Sequence, residues 1–268
     1  MAETMTPHEL FQTGRLAEAI DASLAEVKRN PTDLDRRGLL AELFCLAGDW
    51  ERADKQLDTI GHQDPQAIVA LSLIRQLIRG ETSRKECFDS GRPPELLAEP
   101  NAGIEKSLAA LAALRVGDEA DAVRLFAEAE AVRPNVAGEC DGQPFADFRD
   151  LDDATAGFFE VLTSTGKYFW IPVERVQAIE FRPPKRPRDL LWRQAEMSVE
   201  DGPDGEVYLP AIYIPYGQPL DDQLRLGRGT EWSSGDGQPT RGRGQRTFLV
   251  GDEALPIMEL TSLEFSTR

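Results

Sequence analysis

The sequence predicts an α+β protein of two domains. An α–α superhelix of stacked helical hairpins is expected over residues 1–135, followed by a mostly antiparallel, barrel-like β-rich α+β domain over residues 136–268. Three observations predict this division: an internal repeat in the first half, the loss of helical periodicity after Pro134, and a series of short apolar segments beyond it, each bounded by Gly, Pro or Asp.

The internal repeat is defined by three residue types that recur with the same spacing. They are Gly14, Gly48 and Gly117; Ala19, Ala53 and Ala122; and Pro31, Pro65 and Pro134. In each set the first step is 34 residues and the second is 69 residues. These steps correspond to one tetratricopeptide period and then to two periods with one inserted residue. The first half is therefore predicted to be a tetratricopeptide-like stack, which presents a concave surface to protein ligands.

Each of the recurring residue types has a physical role in a helical hairpin. Glycine suits the tight turn between two helices, because it tolerates a positive φ. Alanine five residues later suits the place where the paired helices approach closely, and proline ends one unit and begins the next. Within the second helix of the first hairpin, Leu16, Ala19, Ile20, Ser23, Leu24 and Val27 form one largely apolar stripe.

The repeat degenerates between Pro65 and Asn101. Residues 66–78 keep a helical pattern, but the following segment, GETSRKECFDSGRPP, contains two Gly and two Pro and is not expected to form a regular hairpin. Residues 102–116 and Glu119–Val132 are predicted to form the last hairpin.

Five segments of the second half are predicted to be strands: residues 168–173, 176–181, 207–214, 247–250 and 263–265. Phe158–Thr163, which follows the acidic phrase DLDDAT, is predicted to belong to a helix. The Gly/Arg segments LRLGRGTEW and RGRGQR are predicted to be hairpin turns that contain arginines.

Charge and composition limit the class of partner and the compartment. The 268 residues include 30 Lys or Arg and 47 Asp or Glu, a net charge of −17. Such a surface repels nucleic-acid backbones and anionic lipids, so a basic or amphipathic protein partner is favoured over either. Three cysteines without a paired framework, the absence of a secretory pattern and the absence of a long apolar run predict a cytoplasmic protein outside the membrane.

No catalytic, metal-binding or cofactor-binding constellation is expected. The only histidines are His8 and His62, and Cys45 lies on the apolar stripe of a repeat helix, where a buried thiol is typical. The acidic group Asp147, Asp150, Asp152 and Asp153 lacks the spacing of a calcium loop. We interpret it as a solvated first turn of the helix predicted to follow.

Two sets of residues are candidates for ligand contacts. Lys185, Arg186, Arg188 and Trp192 concentrate cations and an aromatic side chain in an acidic chain, and are candidates for partner binding; a purely structural role for Arg188 and Trp192 is the alternative. The second hypothesis is a small anionic-ligand site or a regulatory module in the β-rich domain. Its candidate residues are Trp170, Arg188, Trp192, Arg228 and Trp232.

Six phrases of the second half occur in an order that resembles the ImpE/TagJ family of type VI secretion accessory proteins. They are DLDD, GKYFWIP, RDLLW, EVYLPAIY, LRLGRGTEW and GQRTFLVGDE. The resemblance implies a non-enzymatic adaptor that binds the small subunit of the contractile sheath through that subunit's N-terminal helix. It also implies an indirect link to the sheath-disassembly ATPase, and it transfers no defined contact residues to this sequence.

Overall fold

Seven helices build the first half of the chain. The computed structural model describes residues 5–217, 219–233, 235 and 238–266. Within them the helices are α1 (Pro7–Gln12), α2 (Leu16–Arg29), α3 (Leu34–Ala47), α4 (Trp50–Gln63), α5 (Ile68–Ser90), α6 (Ala102–Arg115) and α7 (Glu119–Val132). The pairs α1–α2, α3–α4 and α6–α7 pack together, and α2 also packs against α3. This part has the predicted hairpin arrangement.

The recurring glycines and alanines have the roles that the repeat predicts. Gly14, Gly48 and Gly117 adopt φ values of 83°, 75° and 79° in the turns between paired helices. Ala19, Ala53 and Ala122 are each 0% exposed. A larger side chain at these alanines would force the paired helices apart, because buried interfaces are close-packed.

Replacing Gly48 by Ala is expected to lower the free energy of unfolding by about 1–2 kcal/mol, because a Cβ disfavours the left-handed conformation. Space is not the reason, since the added Cβ would lie 3.6 Å from Arg225 Nη1, an ordinary contact. Gly61→Ala in α4 is the matched control: its Cβ would also lie 3.6 Å from its nearest neighbour, Leu71 Cδ1, but Gly61 has helical φ. Urea denaturation should show a lower free energy of unfolding for Gly48→Ala and no such decrease for Gly61→Ala.

Helix α5 extends twelve residues beyond the predicted end at Ile78. It continues to Ser90, and Gly91 ends it with a φ of 79°. Residues 79–90 contain no proline, and Arg84, Cys87 and Phe88 are buried in this last part of the helix. The sequence alone suggested an irregular segment because GETSRKECFDSGRPP contains two Gly and two Pro. Three of these four residues lie beyond the end of the helix, and burial against the sheet stabilises the part that contains Gly80.

Within the described residues, thirteen strands form three sheets. The strands are β1 (Gly138–Cys140), β2 (Gln143–Phe145), β3 (Phe148–Asp150), β4 (Phe158–Thr163), β5 (Tyr168–Pro172), β6 (Val176–Phe181), β7 (Trp192–Val199), β8 (Gly205–Pro210), β9 (Thr230–Ser233), β10 (Arg241–Gly244), β11 (Thr247–Val250), β12 (Glu253–Pro256) and β13 (Ser262–Phe265). The main sheet is antiparallel with the order β2-β1-β13-β6-β7-β8-β4-β5. It is open, not closed into the barrel that the sequence suggested. Strands β12-β11-β3 and β10-β9 form the two smaller sheets.

The prediction of a helix at Phe158–Thr163 was wrong. This segment is strand β4, which pairs with β5 and β8. Its residues are buried on both faces of the sheet, so the alternation that marks a half-exposed strand is missing. Aromatic and β-branched residues dominate FFEVLT, and these favour strands when both faces are covered.

The main sheet separates two cores. Phe158, Leu162 and Trp192 face the helices, while Phe159 and Val161 face the small sheet that contains Phe148 and Phe248. The first core therefore combines helix and sheet residues. Helix α7 ends at Val132 and strand β1 begins at Gly138. The division into domains of residues 1–135 and 136–268 stays a prediction.

The short helix α8 (Asp222–Arg225) connects the second half to the ends of the repeat helices. Arg225 Nη1 donates to the carbonyl oxygen of Ala47 at 2.7 Å, and Arg228 Nη2 donates to that of Gln12 at 2.7 Å. The final carbonyls of a helix have no partner within it, and cations there are favourable. These arginines thus complete the C-termini of α3 and α1.

Bilayer crossing requires a helix that is both long and apolar. None of the helices in the part of the chain that the structure describes meets both conditions.

Candidate partner-binding groove

An open groove of about 500 Å³ lies between α3, α4 and the start of α5, with the loop before β7 along one side. Its lining is mostly apolar and includes Leu39, Leu57, Ile60, Leu71 and Ile74. Helix α3 brings Gly38 and Leu39 to the groove, while Ala41 on the same helix is fully buried. We refer to this surface as the α3–α5 groove. Its volume is in the range of ligand-binding clefts.

The loop wall of the groove is fixed by ion pairs to Glu42. Arg188 Nη1 lies 3.1 Å from Glu42 Oε1, and Arg186 Nη1 lies 3.8 Å from the same oxygen. Asp189 Oδ2 accepts hydrogen bonds from the backbone N–H groups of Lys185 and Arg186, at 2.8 and 3.0 Å, which shapes the loop. Burial raises the pKa of Glu42, although Arg188 and Arg186 oppose this effect. The loop is therefore attached to α3 through a largely buried carboxylate.

The seven candidate contact residues of the two sets have different positions. Arg186 and Arg188 line the α3–α5 groove, and the exposed Lys185 precedes them in the loop. Trp170 and Trp192 are 0% and 1% exposed and lie in the core. For these two, the structure favours the packing role over direct contact with a partner.

Arg228 and Trp232 lie elsewhere in the second half of the chain. Arg228 donates to carbonyl oxygens at the end of α1, as described above. Trp232, on β9, is 37% exposed and meets Tyr213 edge-on, with ring centroids 5.7 Å apart. Trp170, Arg188, Trp192, Arg228 and Trp232 therefore do not converge on one accessible pocket, and the anionic-ligand hypothesis built on them loses its geometric basis.

Apart from the groove, a buried ionic network connects α5 to the sheets. Arg84 Nε and Nη2 donate to the two carboxylate oxygens of Glu160 at 2.9 and 3.0 Å, and Arg84 Nη1 donates to Glu81 at 2.8 Å. Arg246 also pairs with Glu160, and its Nη1 lies 3.2 Å from Asp150 Oδ2. Burial alone would raise the pKa of Glu160, but the two guanidinium groups hold it at about 2. The network thus holds Glu160 as an ionised carboxylate that is paired inside the protein.

The acidic group at the start of the second half is not a solvated helix turn. Each of its four members pairs with a different arginine: Asp147 with Arg133, Asp150 with Arg246, Asp152 with Arg241 and Asp153 with Arg149. Asp150 and Asp152 are buried. Burial raises the pKa of Asp150 to about 6, against the effect of Arg246. The sequence interpretation failed for the two buried carboxylates because their partners, Arg241 and Arg246, come from a distant part of the chain.

The same arginines explain the Gly/Arg segment RGRGQR. It forms β10 and the approach to β11, with Arg241 and Arg246 buried in ion pairs, and is not merely a turn. The three cysteines, Cys45, Cys87 and Cys140, are buried and unbridged. Burial raises the pKa of each thiol, which disfavours the reactive thiolate. Among the described residues, no group of three or more His, Cys, Asp or Glu could hold a metal ion.

Sequence reasoning missed Gly38 and Glu42 as groove residues. Both carried a signal: Gly38 is a glycine inside a predicted helix, and Glu42 is the single charge in the apolar run LLAELFCLA. A charge on the apolar face of a helix requires a partner, which here comes from the loop before β7.

Comparisons with known proteins agree with this architecture. The family model described as ImpE protein matches residues 142–264, and a tetratricopeptide repeat model matches residues 10–77. The Type VI secretion system accessory component TagJ of Pseudomonas aeruginosa is 31% identical over 261 residues, which cover 97% of this chain and 91% of that protein. The crystal structure of a Vibrio parahaemolyticus protein aligns with a TM-score of 0.92 at 26% identity, over 98% of both chains.

Proposed function

The chain belongs to the ImpE family, and from this we propose that it is a non-enzymatic adaptor of a bacterial type VI secretion system. Its partner is the small subunit of the contractile sheath, bound in the cytoplasm through that subunit's N-terminal helix, with an indirect link to the sheath-disassembly ATPase. The observation that carries the proposal is the similarity, over almost the whole chain, to a secretion accessory component.

Three features of the molecule support the adaptor role. The helical repeats leave an open, largely apolar groove, and repeat proteins use such concave surfaces to bind other proteins. The buried ionisable groups Arg84, Glu160, Arg246 and Asp150 are bound to one another, so their charges stabilise the junction of helices and sheets. Net charge of −17 favours a partner segment that carries basic residues.

Co-purification with the sheath small subunit tests the proposal. The full-length subunit should be retained by the purified chain, and a subunit without its first helix should be lost from the complex. A subunit whose first helix is scrambled at constant composition is the matched control, because it keeps the charge and removes the apolar stripe. Equal retention of all three proteins would contradict binding through the helix, and retention of none would contradict the sheath partner.

A further inference from the structure

Gly38 lies in the interior of a helix, at a position where the fold itself does not require glycine. It lies in α3, one turn after Leu34, and has ordinary helical geometry. A Cβ added at this position would meet no other atom within 4 Å. Glycine destabilises a helix relative to alanine because it loses more conformational freedom on folding. The chain's own packing therefore gives no reason for a glycine here, in contrast to the turn position Gly48.

The groove around Gly38 is lined mostly by apolar residues, of which Leu71 and Ile74 expose only 8% and 6% of their surface at its floor. Gly38 lines the α3–α5 groove together with Leu39, Leu71 and Ile74. Two large apolar side chains at the start of α5 are exposed: Ile68 to 55% and Val69 to 84%. They directly precede the groove residues Ala70 and Leu71 in the helix. A patch of this kind beside a cleft is typical of a protein-binding surface.

The charges along the groove favour a cation on the partner. Asp35 and Asp64 line the groove, and no salt bridge to either of them occurs among the described residues. The two arginines of the loop wall, Arg186 and Arg188, both face Glu42. The lining thus has three carboxylates and two guanidinium groups: Arg186 and Arg188 share Glu42, and Asp35 and Asp64 are left for the partner.

We infer that the α3–α5 groove binds one amphipathic α-helix, which crosses α3 in direct contact with Gly38. The helix packs its apolar stripe on Leu39, Leu71 and Ile74 and places a Lys or Arg near Asp35 and Asp64. Absence of a side chain at residue 38 allows the closer approach of the two helices. This inference rests on the proposed function, since it assigns the sheath subunit's first helix to the groove.

Substitutions at Gly38 separate stability from binding. Gly38→Ala should raise the melting temperature by about 1–4 °C, because alanine is the better helix former. It should also weaken binding of a labelled synthetic peptide of the sheath subunit's first helix by about tenfold, through overpacking at the crossing point. Gly38→Leu should weaken it by about a hundredfold or more, because the side chain would project into the groove where the two helices are proposed to cross. Fluorescence anisotropy gives the affinities.

Gly103→Ala is the matched control for these variants. Gly103 lies in the first turn of α6, outside the groove, and its added Cβ would make an ordinary contact at 3.4 Å with Asn101 Oδ1. The peptide affinity of this variant should equal that of the unmodified chain. A lower melting temperature for Gly38→Ala would show that the fold needs the glycine, and would overturn the inference.

The charge part of the inference has its own test. The double variant Asp35→Asn and Asp64→Asn should bind the peptide about three to ten times more weakly and with a smaller dependence on salt. In the unmodified chain, Gln66 N donates a hydrogen bond to Asp64 Oδ1 at 2.9 Å. Asparagine at residue 64 can accept the same hydrogen bond and still cap the turn. Asp21→Asn on α2 is the control for the loss of a surface charge.

The outcomes distinguish the groove from the function. If the unmodified chain binds the peptide and both Gly38 variants bind equally well, the assignment to the groove is wrong and the proposed function stands. If the unmodified chain does not bind the sheath helix, both the proposed function and the groove assignment fail.

Discussion

Replacing Glu160 by Gln is expected to lower the free energy of unfolding by about 3–5 kcal/mol, the usual consequence of removing one partner of a buried ion pair. Glu160 is fully buried on β4 and pairs with both Arg84 and Arg246. Its carboxylate also accepts a hydrogen bond from the Tyr168 hydroxyl. The uncharged amide leaves two buried guanidinium groups without their shared anion. The midpoint of urea denaturation measures the loss.

The control is Glu51→Gln, which removes the same charge from a solvent-exposed pair with Lys55. Its effect on the denaturation midpoint should be far smaller, because water and salt screen exposed ion pairs. A similar loss for both variants would contradict the role assigned to the buried network.

The dependence of the Glu160→Gln effect on pH gives a second readout. The pKa of Glu160 is about 2 in the folded protein, below its ordinary value of 4.5. Its stabilisation is therefore complete above pH 4.5 and is lost as the pH falls toward 2. The difference between the two proteins should shrink over this interval, because protonated Glu160 and the glutamine that replaces it are both neutral. A constant difference would contradict an ionised Glu160.

Replacing Trp192 by Ala is expected to lower the free energy of unfolding by about 3–5 kcal/mol, the range for truncation of a buried aromatic side chain. The indole stacks on Trp50 with ring centroids 5.9 Å apart, and its Nε1 donates to Glu81 Oε2 at 3.2 Å. The side chain thus joins β7 to α4 and α5. Truncation leaves a cavity at the junction of helices and sheet and an unpaired acceptor on Glu81.

Trp232→Ala is the matched control for Trp192→Ala. Trp232 is partly exposed, so its truncation should cost about 1 kcal/mol or less. Thermal or urea denaturation distinguishes the two variants. A small effect at Trp192 would contradict its assignment to the core and would restore it as a candidate contact for a partner.

Prediction from sequence succeeded where the determining contacts are local in the chain. The turn glycines, the buried alanines and the hairpin α6–α7 follow from short-range geometry, because positive φ and helix periodicity require no distant partner. Strand β6 was also predicted with its observed bounds. Its neighbour β7, the central strand that contains Trp192, was not, because RQAE offers no apolar run.

The candidate site was predictable only in part. The cationic loop was identified from its composition, but its attachment to α3 depends on Glu42, which lies 146 residues earlier in the chain. Likewise, Arg228 was a candidate for ligand contacts because of its residue type, whereas in the structure it donates hydrogen bonds to carbonyl oxygens at the end of α1. The residue types of a segment do not determine which distant group an arginine side chain will bind.

By itself the sequence determined the family, the helical-repeat period and the order of helices before strands. Those features depend on residue types at fixed spacing, which act through backbone geometry. Only the tertiary structure decided which charges are buried, which tryptophans are core residues, and that Gly38 opens on a groove. These depend on contacts between segments far apart in the chain, and burial makes such contacts strong because water no longer competes for the charges or covers the apolar surface.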